Sequence, residues 1–228
     1  MPSFADIAAT DEWRDLALPA EEFYTYDLAY HNWDHAKHVA KTVVEMGNQC
    51  RAHGIDVSLG MLAVAAAWHD VGYQDDHRLY GQPTKELYSA LLAEKFLTVQ
   101  RVPHLYIAEL RQAIIGTTHK VHRRGWNMLL LHRADIADVA ADYDDFVSNS
   151  FKLWLEQRRV NPNTDFDSWK SKQASFLSVV VKESPAELTK LRFPTDVMTD
   201  FCDSTQRNID NLLTETEDSL RLRGKRAA

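Results

Sequence analysis

Leu59-Gly60-Met61-Leu62-Ala63-Val64-Ala65-Ala66-Ala67-Trp68-His69-Asp70 decides the fold. Its first ten residues are all apolar, and Ser58 stands before them as a cap, so the segment reads as a helix that is hydrophobic on every side. Such a helix is stable only when other elements wrap it. It is also far shorter than the roughly 20 residues a membrane span needs, so it is expected at the centre of a helical bundle. The run ends on an imidazole and a carboxylate that inherit its inward direction. His69 continues the row of Leu62 and Ala66, and Asp70 continues the row of Ala63 and Ala67.

Outward from this centre the chain reads as helix almost throughout. Helices are expected over 20–30, 34–53, 59–70, 85–99, 105–119, 126–142, 146–158, 166–182, 185–190 and 196–214, and no alternating strand pattern lies between hairpin turns. Ser184-Pro185 with Glu187 reads as a helix start, with proline at the first helical position. Asn161-Pro162-Asn163 is the one plausible seam. We therefore expect an all-α chain with a helical domain over 1–160 and C-terminal helices over 161–228 packed on the same core. The basic tail from Arg221 is expected to fray.

At 228 residues and 45% hydrophobic, the chain can bury a sizeable core. A net charge of −7 argues against binding duplex nucleic acid, which calls for a basic stripe. Two cysteines are too few for a disulfide framework. Residues 1–10 contain Asp6 and lack a basic start, unlike a signal peptide. The expected location is the cytoplasm, away from membranes.

Two more potential metal ligands lie on inward stripes. His35 continues Val39, Val43 and Met46, and Asp135 continues Met128, Leu131 and Val139. Histidine and carboxylate groups are costly to bury unpaired, so four of them on inward faces point to a cation between them. Two imidazoles with two carboxylates suit a divalent first-row metal such as Mn, Fe, Co, Ni or Zn. One difficulty is visible in advance. Side chains of neighbouring residues diverge by about 100° on a regular helix, so His69 and Asp70 share an ion only if it sits over the gap between them.

Tyr30-His31-Asn32-Trp33-Asp34-His35, then Trp68-His69-Asp70-Val71-Gly72-Tyr73, then Ala134-Asp135-Ile136 resembles the HD superfamily of metal-dependent phosphohydrolases. Within it the chain is similar to small bacterial members that begin Tyr-His-Asn-x-x-His and carry a Glu-x-x-Ser-Ala segment, here Glu86, Ser89 and Ala90. The resemblance covers about residues 20 to 140. It implies an HD-domain helical bundle, with His35, His69, Asp70 and Asp135 as ligands of a divalent metal. Asp70 has a catalytic part as well, and Glu86 and His119 are assigned to proton transfer or substrate contact. Two departures stand out. The distal ligand is preceded by Arg133 where relatives read Asp-Ala-Asp, so that a positive charge either joins the site or faces solvent. The Glu-Asp pair of guanosine-tetraphosphate hydrolases is missing after Asp70, which argues against that substrate.

The expected reaction is hydrolysis of a small phosphate ester or anhydride, with a nucleotide as the favoured substrate. The basic run Lys120, His122, Arg123 and Arg124 offers substrate-binding groups, with Lys85 and Arg78 behind it. The loop Gln74–Thr84 is expected to cover the substrate pocket. His31 is expected to serve a helix start, whose N–H groups need partners. Two alternatives stay open. One is a di-iron oxygenase of the HD type, in which His77, His104 or His119 would hold a second iron. The other is a non-catalytic nucleotide-sensing module. Self-association into a homodimer is left open too.

Overall fold

The structure, a computed structural model, describes residues 11–24, 28–119 and 121–224. Among these there is no strand, and the chain is all-α. In chain order the α-helices are α1 (Asp11–Ala17), α2 (Trp33–Ala52), α3 (Leu59–Trp68), α4 (Lys85–Val99), α5 (His104–Ile115), α6 (Trp126–Asp135), α7 (Tyr143–Val160), α8 (Phe166–Lys190), α9 (Thr195–Thr214) and α10 (Glu217–Gly224). Three short 3₁₀ segments, Leu18–Phe23, His77–Tyr80 and Ala137–Ala140, join them. None of the described helices is long and apolar enough to cross a membrane.

Contacts divide the chain into two compact units, one up to Ile136 and one from Ala137. In the first, every residue of α3 is buried, and α1, α2, α4, α5 and α6 all pack against it. The reason is compositional: a helix with no polar face must be covered on all sides. Small residues allow close approach. A Cβ on Gly60 would fall 2.3 Å from Trp13 Cδ1 of α1. Trp68 at the other end donates its indole N–H to Leu16 O at 2.9 Å.

The second unit has its own aromatic core. Trp154 of α7 packs 5.2 Å, centroid to centroid, from both Phe166 and Trp169 of α8, and Ile209, Leu212 and Leu220 complete the cluster. These contacts explain why the division falls at Ile136–Ala137 and not at the expected seam after Val160. The Asn161-Pro162-Asn163 loop joins two helices of one unit, because the tryptophans on either side of it share a core.

Other departures from the expected elements have local causes. The segment 20–30 is not one helix. Its 3₁₀ turn ends at Phe23, and Tyr24 is extended with its hydroxyl donating to Ala67 O at 2.9 Å. Residues 25–27 of that expectation lie outside the described residues. Helix α8 runs straight through Pro185 instead of starting there. Proline lacks the N–H that would bond Val181 O, and Cys202 Sγ of α9 approaches that carbonyl at 3.8 Å. Of the tail expected to fray, residues up to Gly224 are helical, and Arg223 Nε pairs with the buried Glu215 carboxylate at 3.2 Å; the rest lies outside the described residues.

Candidate metal centre

The site forms where three helices of the first unit begin or end. Asn32 caps α2: its Oδ1 accepts from His35 N at 3.1 Å, and its Nδ2 donates to Leu28 O and Ala29 O at 3.2 and 3.1 Å. The cap fixes the first turn of α2, and with it the direction of His35. The expected helix-start role of His31 therefore belongs to Asn32. Helix α3 stops at Trp68; His69 caps it with a backbone that is still helical (φ −66°, ψ −31°), and the carboxylate of Asp70, in the turn that follows, nevertheless comes within 3.1 Å of His69 Nε2. Gly72 N–H donates to Ser89 Oγ of α4 at 3.0 Å, which ties that turn down. Asp135 is the last residue of α6, seven residues short of the expected end.

One ligand atom each from His35, His69, Asp70 and Asp135 come within 4.8 Å of one another. His69 Nε2 lies 3.1 Å from Asp70 Oδ2 and 3.3 Å from Asp135 Oδ1. His35 Nε2 is 3.2 Å from Asp135 Oδ1 and 3.7 Å from Asp70 Oδ2. His69 is fully buried, and its Nδ1 donates to Ala66 O at 2.7 Å. That bond keeps the Nδ1 proton directed at the Ala66 carbonyl and turns Nε2 towards Asp70 and Asp135. Nε2 is buried and has no hydrogen-bond partner of good geometry among the described residues.

The electrostatics favour positive charge at this point. Burial alone would pull the His69 pKa down, but the facing Asp70 and Asp135 carboxylates outweigh it and hold the imidazole well above its ordinary range. Burial likewise opposes ionisation of Asp70 and Asp135. His69, with His31 beside Asp70 and His35 beside Asp135, overcomes it and holds both carboxyls low. The C-termini of α3 and α6 both end at the site, and each brings a negative helix-dipole end. Two carboxylate charges and two imidazole nitrogens, one of them buried without a hydrogen-bond partner among the described residues, fit one divalent cation.

The other expected residues scatter around this centre. Glu86 is half-buried in the first turn of α4 and makes no hydrogen bond or ion pair with the described residues. His119 and Arg124 are exposed, and Lys120 lies outside the described residues. Arg123 turns back on its own loop. Its Nε donates to Gly116 O at 2.7 Å, and its Nη2 to Thr118 O and His132 Nδ1, each at 3.1 Å. It thereby caps the C-terminus of α5, where carbonyls lack helical partners. Burial, and then the Arg123 charge, push the His132 pKa down to about 3, so this ring is a neutral acceptor. Arg133 is buried and does not face solvent. His77, His104 and His119 are not in the ligand group; His77 Nδ1 bonds Gln82 O at 2.7 Å in its own loop.

Two features were not anticipated from sequence. The His31 ring stacks on Tyr73 with centroids 3.5 Å apart and planes 12° apart, and Lys85 Nζ sits 3.5 Å from the centroid of the same Tyr73 ring. Tyr24, whose hydroxyl binds Ala67 O, also receives Asp70 N–H at 3.4 Å. Burial and then the Asp70 charge push its phenol well above the ordinary range, so it stays protonated.

The chain superposes on the phosphodiesterase domain of the rhodopsin phosphodiesterase of Salpingoeca rosetta with a TM-score of 0.62 at 15% identity, covering 99% of this chain and 87% of that one. A second structure, of the phosphodiesterase domain of the RhoPDE fusion protein from the same choanoflagellate, gives 0.62 at 16%, covering 98% and 87%. The fold is shared. At this identity the likeness shows the architecture alone, an all-α bundle as expected from sequence. No protein-family model and no curated protein matches the chain.

Proposed function

We propose that the protein is a metal-dependent hydrolase of a small phosphate ester or anhydride, with nucleotides as the substrate class. The observation that carries the reading is the fully buried, unpartnered His69 Nε2, facing His35, Asp70 and Asp135 within one ligand group. Resemblance in fold to phosphodiesterase domains supports the same chemistry. A pure sensing module has no need of such a costly buried group.

In this reading His35, His69, Asp70 and Asp135 hold the ion. When bound, a divalent metal would draw charge from a phosphate oxygen and lower the pKa of water towards neutrality. The chain supplies the rest. Ala66 O holds His69 in the ligating tautomer. Tyr24 and Ser89 fasten the Asp70 turn from two sides. His31 joins Glu86 and His119 as a group to carry a proton to the leaving oxygen. Its ring lies 6.0 Å from that of His35, and its charge helps to lower the Asp70 pKa. Arg124 would meet the substrate's remaining phosphate charge, on a loop that Arg123 braces.

The test is hydrolysis of a panel of nucleotides and simple phosphate esters by metal-supplemented protein, with phosphate and pyrophosphate measured separately. Hydrolysis that is lost in Asp70→Ala, with helical content kept, is the expected result. Full activity in that variant would remove the site from the reaction.

A further inference from the structure

We infer that Tyr73 is a positioning residue, which, clamped by Lys85 on one face, sets the orientation of the His31 ring on the other. The inference rests on the proposed hydrolase reading for its kinetic consequence but not for its geometry. Three observations carry it. The Tyr73 and His31 rings are nearly parallel at 3.5 Å, a separation that leaves no room between them. Lys85 Nζ lies at the same distance from the Tyr73 centroid, and the stacked imidazole already occupies one face, so the ammonium covers the other. Tyr30 meets the His31 ring edge-on at 81° and 4.9 Å, and itself packs 4.5 Å from the His35 ring.

The chain connects these groups economically. Tyr73 is three residues beyond Asp70, its N–H bonding Asp70 O at 2.9 Å, so it belongs to the turn that carries the ligand. Lys85 opens α4, directly after the Thr84 cap, whose Oγ1 accepts from Leu87 N at 3.2 Å. The loop 74–84 thus starts and ends at the same aromatic ring. An imidazole that is to move a proton must present one nitrogen in a fixed direction. Stacking restrains the plane of the ring, and the edge contact restrains its rotation within that plane. On this account Lys85, expected from sequence at a substrate phosphate, acts on the ring instead.

Two measurements test this on the full-length, metal-supplemented protein. The first is the ¹H–¹³C spectrum of histidine-labelled protein, with the His31 signal identified by its loss in His31→Ala. Stacking on Tyr73 should move the His31 ring-proton resonance upfield. Tyr73→Phe should keep that position, and Tyr73→Leu should return it towards that of a free imidazole. An unchanged position in Tyr73→Leu overturns the proposal, whether or not the protein hydrolyses anything. The second is a double-mutant cycle on hydrolysis. Tyr73→Leu should lower kcat by roughly 10²-fold, the scale of a misplaced reacting group, but by less than about twofold in the His31→Ala background. Equal losses in both backgrounds would show that Tyr73 does not act through His31. Lys85→Met offers an independent arm. A fall in kcat at constant KM supports the clamp, whereas a rise in KM at constant kcat assigns Lys85 to the substrate and overturns its part in the column.

Discussion

Ser89→Ala removes a single oxygen atom from the interior of the first unit. Ser89 is fully buried, and its Oγ accepts the Gly72 N–H at 3.0 Å. Gly72 is buried too, and a Cβ there would fall 2.5 Å from Tyr88 Cδ1, so the backbone is pressed against α4 with no space for a replacement water. The variant leaves a buried donor without an acceptor, which costs about 1–3 kcal/mol. For a chain of this size each kcal/mol is worth roughly 2–4 °C in Tm, so a fall of about 2–12 °C is expected. Gly72 is two residues from Asp70, and loosening the turn should weaken metal binding by about 10- to 100-fold, as loss of a ligand's outer support does elsewhere. Calorimetric unfolding and manganese titration measure the two effects. Ser171→Ala is the control, because its hydroxyl only bonds back to Asp167 O on an exposed helix face. If Ser89→Ala matches that control in both Tm and metal affinity, the turn is not held in the way described.

Four further outcomes are expected. Manganese or zinc at about 100 times its Kd should stabilise the protein by ~2.7 kcal/mol, raising Tm by roughly 5–10 °C; a chelator should reverse the shift, and Asp135→Asn should abolish it. Gly60→Ala should destabilise by about 1–3 kcal/mol through the overlap with Trp13, and denaturant unfolding that matches the parent would contradict that packing. His132 is buried with a pKa of about 3, so unfolding raises its proton affinity. Its contribution is complete above about pH 6.5 and falls by ~1.4 kcal/mol per pH unit below that; His132→Gln should flatten the curve between about pH 6 and 4. Cys50 is buried with its thiol pushed up to about 11, so in the native protein thiol reagents should modify Cys202 and spare Cys50 until denaturant is added.

The central helix and the convergence of His35, His69, Asp70 and Asp135 were legible in sequence for one reason. A helix apolar on all faces has only one place to go, and polar groups that continue an inward stripe must meet there. What surrounds them was harder to read. His31, Tyr73 and Lys85 are spread over 55 residues, and their stacking depends on how a loop closes, which no local periodicity records. Arg123 looked like a phosphate ligand because it lies in a basic run, yet the open carbonyl end of α5 captured its guanidinium first. Pro185 looked like a helix start because Ser184 and Glu187 flank it with capping chemistry. The Ser184 hydroxyl instead bonds back to Val180 O, and α8 continues. His132 gave no signal of its own, being one more residue on a buried face.

His35 lies in the first turn of α2, His69 and Asp70 follow α3 and Asp135 closes α6, so the four candidate ligands occupy helix termini and not helix middles. Termini are where backbone hydrogen bonds run out and fraying begins. An ion shared by all three would act as a common rivet, and its removal should be felt first as faster amide exchange in the opening turn of one helix and the closing turns of the other two. Occupancy and the rigidity of this end of the bundle would then rise and fall together, leaving the apolar middle of α3 unmoved.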